Sequence, residues 1–139
     1  MKIVLLVFLV IIGCKSSRMI SCDGIYDEVT GKCVYLVAEK MPVFDNCNCD
    51  FNCFFIREFK HPNDCDLTIT KVNAVFIIDE NGQLVGERIK NKNEKDLNPL
   101  EKEVLTIIRR TNGKWSPGEI RSKKVAVLMT LPINIDVNR

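Results

Sequence analysis

The residues best equipped for chemistry are seven cysteines and a single histidine, His61. Cysteine offers disulfide formation, thiolate nucleophilicity or metal ligation, and the compartment decides among them. Seven in a chain of 139 residues is a high count and points to an oxidising compartment. Cys22 and Cys33 bracket a loop with turn signals at Asp23-Gly24 and Thr30-Gly31, so a local bridge is the favoured pairing there. Cys53 and Cys65 could tie a short helix to the strand after it. Cys47 and Cys49 form a Cys-x-Cys pair, which offers a redox dithiol or a metal fragment. A structural role is preferred, because exported cysteines are usually bridged and one histidine cannot complete a metal cluster. His61 would need a nucleophile and an orienting group to act as a base. It stands beside Pro62 and reads as a turn residue. Asp79 and Glu80 fall in a turn signal, with nothing nearby in sequence to raise a carboxylate pKa. The glycines are scattered through turns, and no phosphate loop is formed. The expectation is a protein that is not an enzyme, with no cofactor and no metal.

The compartment is written at the start of the chain. Lys2 precedes the apolar run Ile3-Val4-Leu5-Leu6-Val7-Phe8-Leu9-Val10-Ile11-Ile12, followed by Gly13-Cys14. A charged start, about ten apolar residues and a small residue make an export signal, too short to span a bilayer. Val10-Ile11-Ile12-Gly13-Cys14 resembles a bacterial lipobox, in which the cysteine is lipidated and the chain cut before it. That resemblance implies a signal peptide over 1–13 and a lipid anchor (palmitate among its acyl chains) on Cys14. Lys15 follows in place of an acidic retention signal, so the outer membrane, facing the periplasm or the surface, is the expected site. Removing Cys14 leaves six cysteines, Cys22, Cys33, Cys47, Cys49, Cys53 and Cys65, the even number that a disulfide framework needs.

The elements that must position any site follow from patterning. Lys and Arg number 20 and Asp and Glu 18, for a net charge of +2, which excludes a strongly basic nucleic-acid binder. Residues 14–33 read as tether and cysteine loop, and 34–139 as one folded domain. Val34-Tyr35-Leu36-Val37-Ala38 is a β-prone run. Phe51, Phe54, Phe55 and Phe59 share one helical face, read as core packing, with Asn48 or Asp50 as cap and His61-Pro62 as stop. A strand over 73–78, an Asn81-Gly82 turn and a strand over 83–89 predict a hairpin. Residues 90–96 are a polar loop. Asn98-Pro99-Leu100-Glu101 predicts a capped helix start, with Leu97, Leu100, Val104, Ile107 and Ile108 on one face and Gly113 as stop. Trp115-Ser116-Pro117-Gly118 reads as a turn with one large ring to bury. Residues 124–135 predict a long final strand, with Val125, Val127, Met129, Leu131 and Ile133 on one face. The order strand, strand, helix, strand requires the helix to lie across one face of a three-stranded antiparallel sheet, an α+β domain preceded by a short helix and a cysteine-rich segment.

Residues 72–136 resemble the TonB C-terminal domain, in the divergent form carried by small exported proteins of Gram-negative bacteria. The resemblance rests on Val75-Phe76-Ile77-Ile78 with Asp79-Glu80-Asn81-Gly82, on Leu97-Asn98-Pro99-Leu100, on Trp115, Pro117 and Gly118, and on Leu131-Pro132-Ile133-Asn134-Ile135. Upstream, Glu39-Lys40-Met41-Pro42-Val43-Phe44 resembles the lead-in of these proteins. The resemblance implies a ββαβ domain with core 72–136 that adds an extended segment of an outer-membrane transporter to a sheet edge. Leu131, Pro132, Ile133, Asn134 and Ile135 are then the edge that binds the partner, with Pro132 lacking one donor. Energy transducers of that family carry an uncleaved membrane helix and a Pro-rich spacer, and neither is read here. The expected function is a lipid-anchored periplasmic module that binds a TonB-dependent transporter, or a related envelope protein, as part of transmembrane transport. The alternative is an envelope scaffold lipoprotein that keeps the fold without transport coupling. Pairing of that edge with a second copy, as a homodimer, is left open.

Overall fold

The computed structural model describes residues 21–46, 48–63 and 71–135. The signal sequence, Cys14, Cys47, Cys65 and residues 136–139 lie outside them. The described chain is α+β, with antiparallel sheets and two α-helices. In chain order it forms β1 (Ile25–Asp27), β2 (Lys32–Val34), β3 (Val43–Phe44), α1 (Phe51–Glu58), β4 (Lys71–Ile78), β5 (Leu84–Ile89), a 3-10 turn (Glu94–Asp96) and α2 (Pro99–Arg109). Then follow β6 (Trp115–Ser116), β7 (Gly118–Ile120), β8 (Lys123–Val125) and β9 (Val127–Asn134). The main sheet has the order β5-β4-β9. Three two-stranded ribbons, β1-β2, β3-β6 and β7-β8, surround it.

β4 is the centre of the molecule. Val72, Ala74, Phe76 and Ile78 face the helices, and Ile77 faces the opposite side. Its register to β9 is unbroken, from Ile78 opposite Val127 to Lys71 opposite Asn134. Its register to β5 breaks between Val75 and Ile77, where β5 carries one extra residue and Gly86 has φ 64°. The bulge has a consequence for the core. Leu84 and Ile89 are an odd number of residues apart and should face opposite ways. The extra residue brings both onto the helix side, where both are buried. In the β4-β5 turn only Gly82, of the pair Asn81-Gly82, has positive φ. Asp79 closes the loop, accepting the N–H groups of Asn81 and Gln83 at 2.9 Å each.

α2 begins as its sequence dictates. The Asn98 side chain accepts the Glu101 N–H at 2.9 Å, the Glu101 carboxylate accepts the Asn98 N–H at 3.0 Å, and Pro99 occupies the first turn. Leu100, Val104, Ile107 and Ile108 are fully buried. α1 is capped by Asp50, which accepts the Cys53 N–H at 2.8 Å. It ends at Glu58 with Phe59 as C-cap, ahead of the stop expected at His61-Pro62. Its phenylalanines pack as core: Phe54 is buried, and Phe55 and Phe59 lie against the main cluster.

Other expectations need correction. The run over 34–38 is not a strand. After Val34 only Tyr35 is paired, by a single parallel bridge to Val127, and Leu36 and Val37 are exposed. The long strand over 124–135 is two strands that break at Ala126. β8 turns back onto β7, and β9 joins β4. Alternation of apolar residues runs through both strands, so the pattern alone cannot show a change of partner. Trp115 to Gly118 is not a free turn either, since β6 pairs with β3 and β7 with β8. Gly118 is required by close approach: a Cβ there would lie 2.6 Å from Val127 Cγ2 and 3.0 Å from the Lys40 carbonyl.

Candidate functional site

Four of the cysteines form two bridges. Cys22–Cys33 ties the segment before β1 to the middle of β2, the pairing expected. Cys53 bonds Cys49, not Cys65, and so staples the first turn of α1. A helix start folds residues four apart onto one another, a proximity that a reading by strand order overlooked. Among the described residues, no three His, Cys, Asp or Glu side chains are grouped to hold a metal. His61 Nδ1 lies 3.1 Å from the Pro62 carbonyl, and its ring meets Phe59 edge-on. Asp79 is occupied by its turn and, with Glu80, faces Lys32 at 3.9 and 3.7 Å. In the 90–96 loop, Lys92 bonds Glu101 at 2.6 Å and Glu94 faces Arg109 at 3.8 Å. Of these, Asp79 and Glu101 are buried, tied into the β4-β5 turn and the α2 cap.

Asp27 is bonded from both sides, by Thr30 of its own hairpin and by Arg88 of β5. Burial pushes its pKa up, but two hydrogen bonds from Thr30 and the Arg88 guanidinium at 2.6 Å outweigh this. The carboxyl is held below its usual range. Asp27 is thereby a clasp between the disulfide hairpin and β5.

The remaining unusual feature is the outer edge of β9. Tyr35 covers its start: the Leu128 N–H donates to the Tyr35 carbonyl at 2.9 Å, and the Tyr35 N–H donates to Ala126 at 2.9 Å. Leu128 therefore directs its main chain away from β4. The register to β4 has no break, so the same orientation recurs at Thr130, Pro132 and Asn134. The residue opposite Pro132 agrees, since Asn73 gives its carbonyl to the Lys90 N–H, towards β5. Pro132 thus costs the β4-β9 ladder nothing, and the donor it lacks is one that would have faced outwards. Among the described residues no strand pairs with this edge beyond Leu128.

A groove of about 560 Å³ runs beside the open part of that edge. Phe51, Asn52, Phe55 and Ile56 of α1, with Phe59, form one wall, and residues 131–135 form the other. No lining residue is charged. A second recess of about 330 Å³ adjoins it at Phe51 and Leu131 and reaches Val43, Phe44 and Trp115. All five edge residues expected from sequence, Leu131, Pro132, Ile133, Asn134 and Ile135, line the groove. Trp115 stands behind it, within 6 Å of the ring centres of Phe44, Phe51 and Phe76, its indole N–H on Thr111 Oγ1 at 2.9 Å. Pro117 and Gly118 hold the adjoining ribbon and do not line the groove.

The α1 wall and the Tyr35 cover were missed in the sequence. One signal for the wall was present. Ile56 lies off the phenylalanine stripe of its helix and is 76% exposed. Comparison with family models, with curated proteins and with solved structures gives no match.

Proposed function

We propose that this protein is a lipid-anchored envelope module of the TonB C-terminal type, which captures an extended segment of an outer-membrane transporter or related envelope protein on the edge of β9. The reading is supported above all by one coincidence: the outward main-chain groups of Pro132 and Asn134 border an uncharged, mainly apolar groove, and that of Thr130 borders the recess beside it. An unpaired edge supplies main-chain hydrogen bonds to any extended segment, and adjacent pockets select its side chains. The groove takes apolar side chains at alternate positions, because successive residues of an added strand point to opposite faces. The order β4, β5, α2, β9 about one antiparallel sheet supports the TonB-type assignment, with β6, β7 and β8 inserted before the last strand.

The test is crosslinking in intact cells. A photo-crosslinking amino acid replaces Ile56 in the groove wall and, as a control, the exposed Lys102 on α2. An outer-membrane transporter captured from position 56 and absent from position 102 is the expected result. Equal capture from both positions, or only a second copy of the chain from position 56, would defeat the proposal.

A further inference from the structure

We infer that Pro132 selects against self-pairing, so that the edge of β9 accepts a foreign strand and refuses a second copy of its own. This rests on the β9 edge being the binding site, as proposed above. An apolar edge on an exported domain is a hazard, because the readiest strand of matching shape is the same strand on a neighbour.

The hydrogen-bond geometry discriminates between the two. A closed two-fold pair of edges presents the same patch twice, and two such edges in one sheet run antiparallel. Bonded positions then match outward residues with outward residues. With Leu128 occupied by Tyr35, the outward residues described are Thr130, Pro132 and Asn134. Two prolines enter every symmetric register that forms more than one bonded pair from these three, and the registers free of them form a single pair. If Pro132 opposes Pro132, both donors of the central pair are missing and the rings meet face to face. If Pro132 opposes Thr130 or Asn134, the paired stretch shortens and each copy still lacks one donor. A foreign strand meets a single proline and leaves a single carbonyl to water. Self-pairing therefore carries twice the deficit over the same or a shorter ladder. Tyr35 adds to the effect by closing the start of the lane, which keeps the open stretch short.

The β5 edge is managed differently. Glu87 and Arg88 stand there, paired with Arg109 at 2.7 Å and with Asp27 at 2.6 Å. Charge protects one edge, and a missing donor protects the edge that has to stay apolar.

The test uses the full chain, purified in detergent with its disulfides intact, and reads mass by sedimentation over a concentration series. Wild type is expected to be monomeric, and Pro132→Ala to dimerise at least tenfold more tightly with an unchanged melting temperature. Adding Thr130→Pro to Pro132→Ala puts prolines back into the longest register, leaves only the shorter one that pairs positions 132 and 134 free of them, and should weaken the dimer. A wild-type dimer that pairs through β9, or a Pro132→Ala variant as monomeric as wild type with its fold intact, would overturn the inference. A parallel titration with an eight-residue peptide of alternating valine and threonine, followed by Trp115 fluorescence, separates this from the docking proposal. Dimerisation of Pro132→Ala without peptide binding would uphold the self-pairing block and count against docking. Peptide binding with a monomeric Pro132→Ala would do the reverse.

Discussion

Trp115 and Asp27 show how much single residues carry in this protein. Trp115 joins α2, through Thr111, to the rings of β3, α1 and β4. Trp115→Ala should destabilise the fold by about 3 kcal/mol, the low end for a large ring, because the indole is half-buried. Denaturant unfolding reads this, and an unchanged midpoint would show that the ring contributes no packing. Asp27 makes a prediction about pH. Its folded pKa lies below the ordinary carboxylate value, so its contribution is fully present above that ordinary value. The contribution is lost as pH falls through the lowered folded value. Urea midpoints measured from neutral to acid pH should therefore fall on the acid side, and Asp27→Asn should flatten that limb. The cap at Asn98-Pro99-Leu100-Glu101 was legible in sequence because capping is local chemistry between neighbours. Asp27 was not legible as a clasp, since Arg88, its partner, is far away along the chain.

The elements differ in what anchors them. The Cys22–Cys33 bridge closes a separation of 11 residues, and Cys49–Cys53 closes 4. In the chain-entropy account the longer loop stabilises more, about 3 against about 2 kcal/mol. Replacing each pair with serine should cost more for the β1-β2 hairpin than for α1, and thermal melts of the two double variants give the order. Gly118→Ala tests the β7 ribbon. Its new methyl group meets Val127 and the Lys40 carbonyl, so a loss of about 1–3 kcal/mol is expected. Periodicity and turn residues announced β4, β5 and α2. The same cues misread 124–135, because a strand that changes partner keeps its alternation. The β5 bulge went unread for a related reason: a glycine in a strand marks a bulge only once the partner's register is known.

At the scale of the whole molecule, the sheet is sandwiched. Both helices lie on one face, and Val34 and Ala126 pack with Ile77 on the other. That leaves two edges, one charged and one apolar, and the apolar one adjoins the groove. On the proposed reading Cys14 carries the membrane anchor, and Cys14→Ser should then move the protein into the soluble fraction of lysed cells. Continued membrane attachment would assign the anchor to another part of the chain. Among the described residues no helix is long and apolar enough to cross a bilayer.

The sequence by itself determined what depends on near neighbours. The β4-β5 hairpin, the capped α2 and the packing role of the phenylalanines are each written in consecutive residues or in a short period. Tertiary structure decided what depends on distant partners. It gave Cys53 to Cys49, broke the last strand at Ala126, laid Tyr35 over the start of β9 and set α1 beside its end. The physical reason is that hydrogen-bonding direction along an edge strand follows from register, and register is set by the strand alongside. Only with β4 and Tyr35 in place does Pro132 acquire a side, and with it the consequence that its missing donor faces outwards.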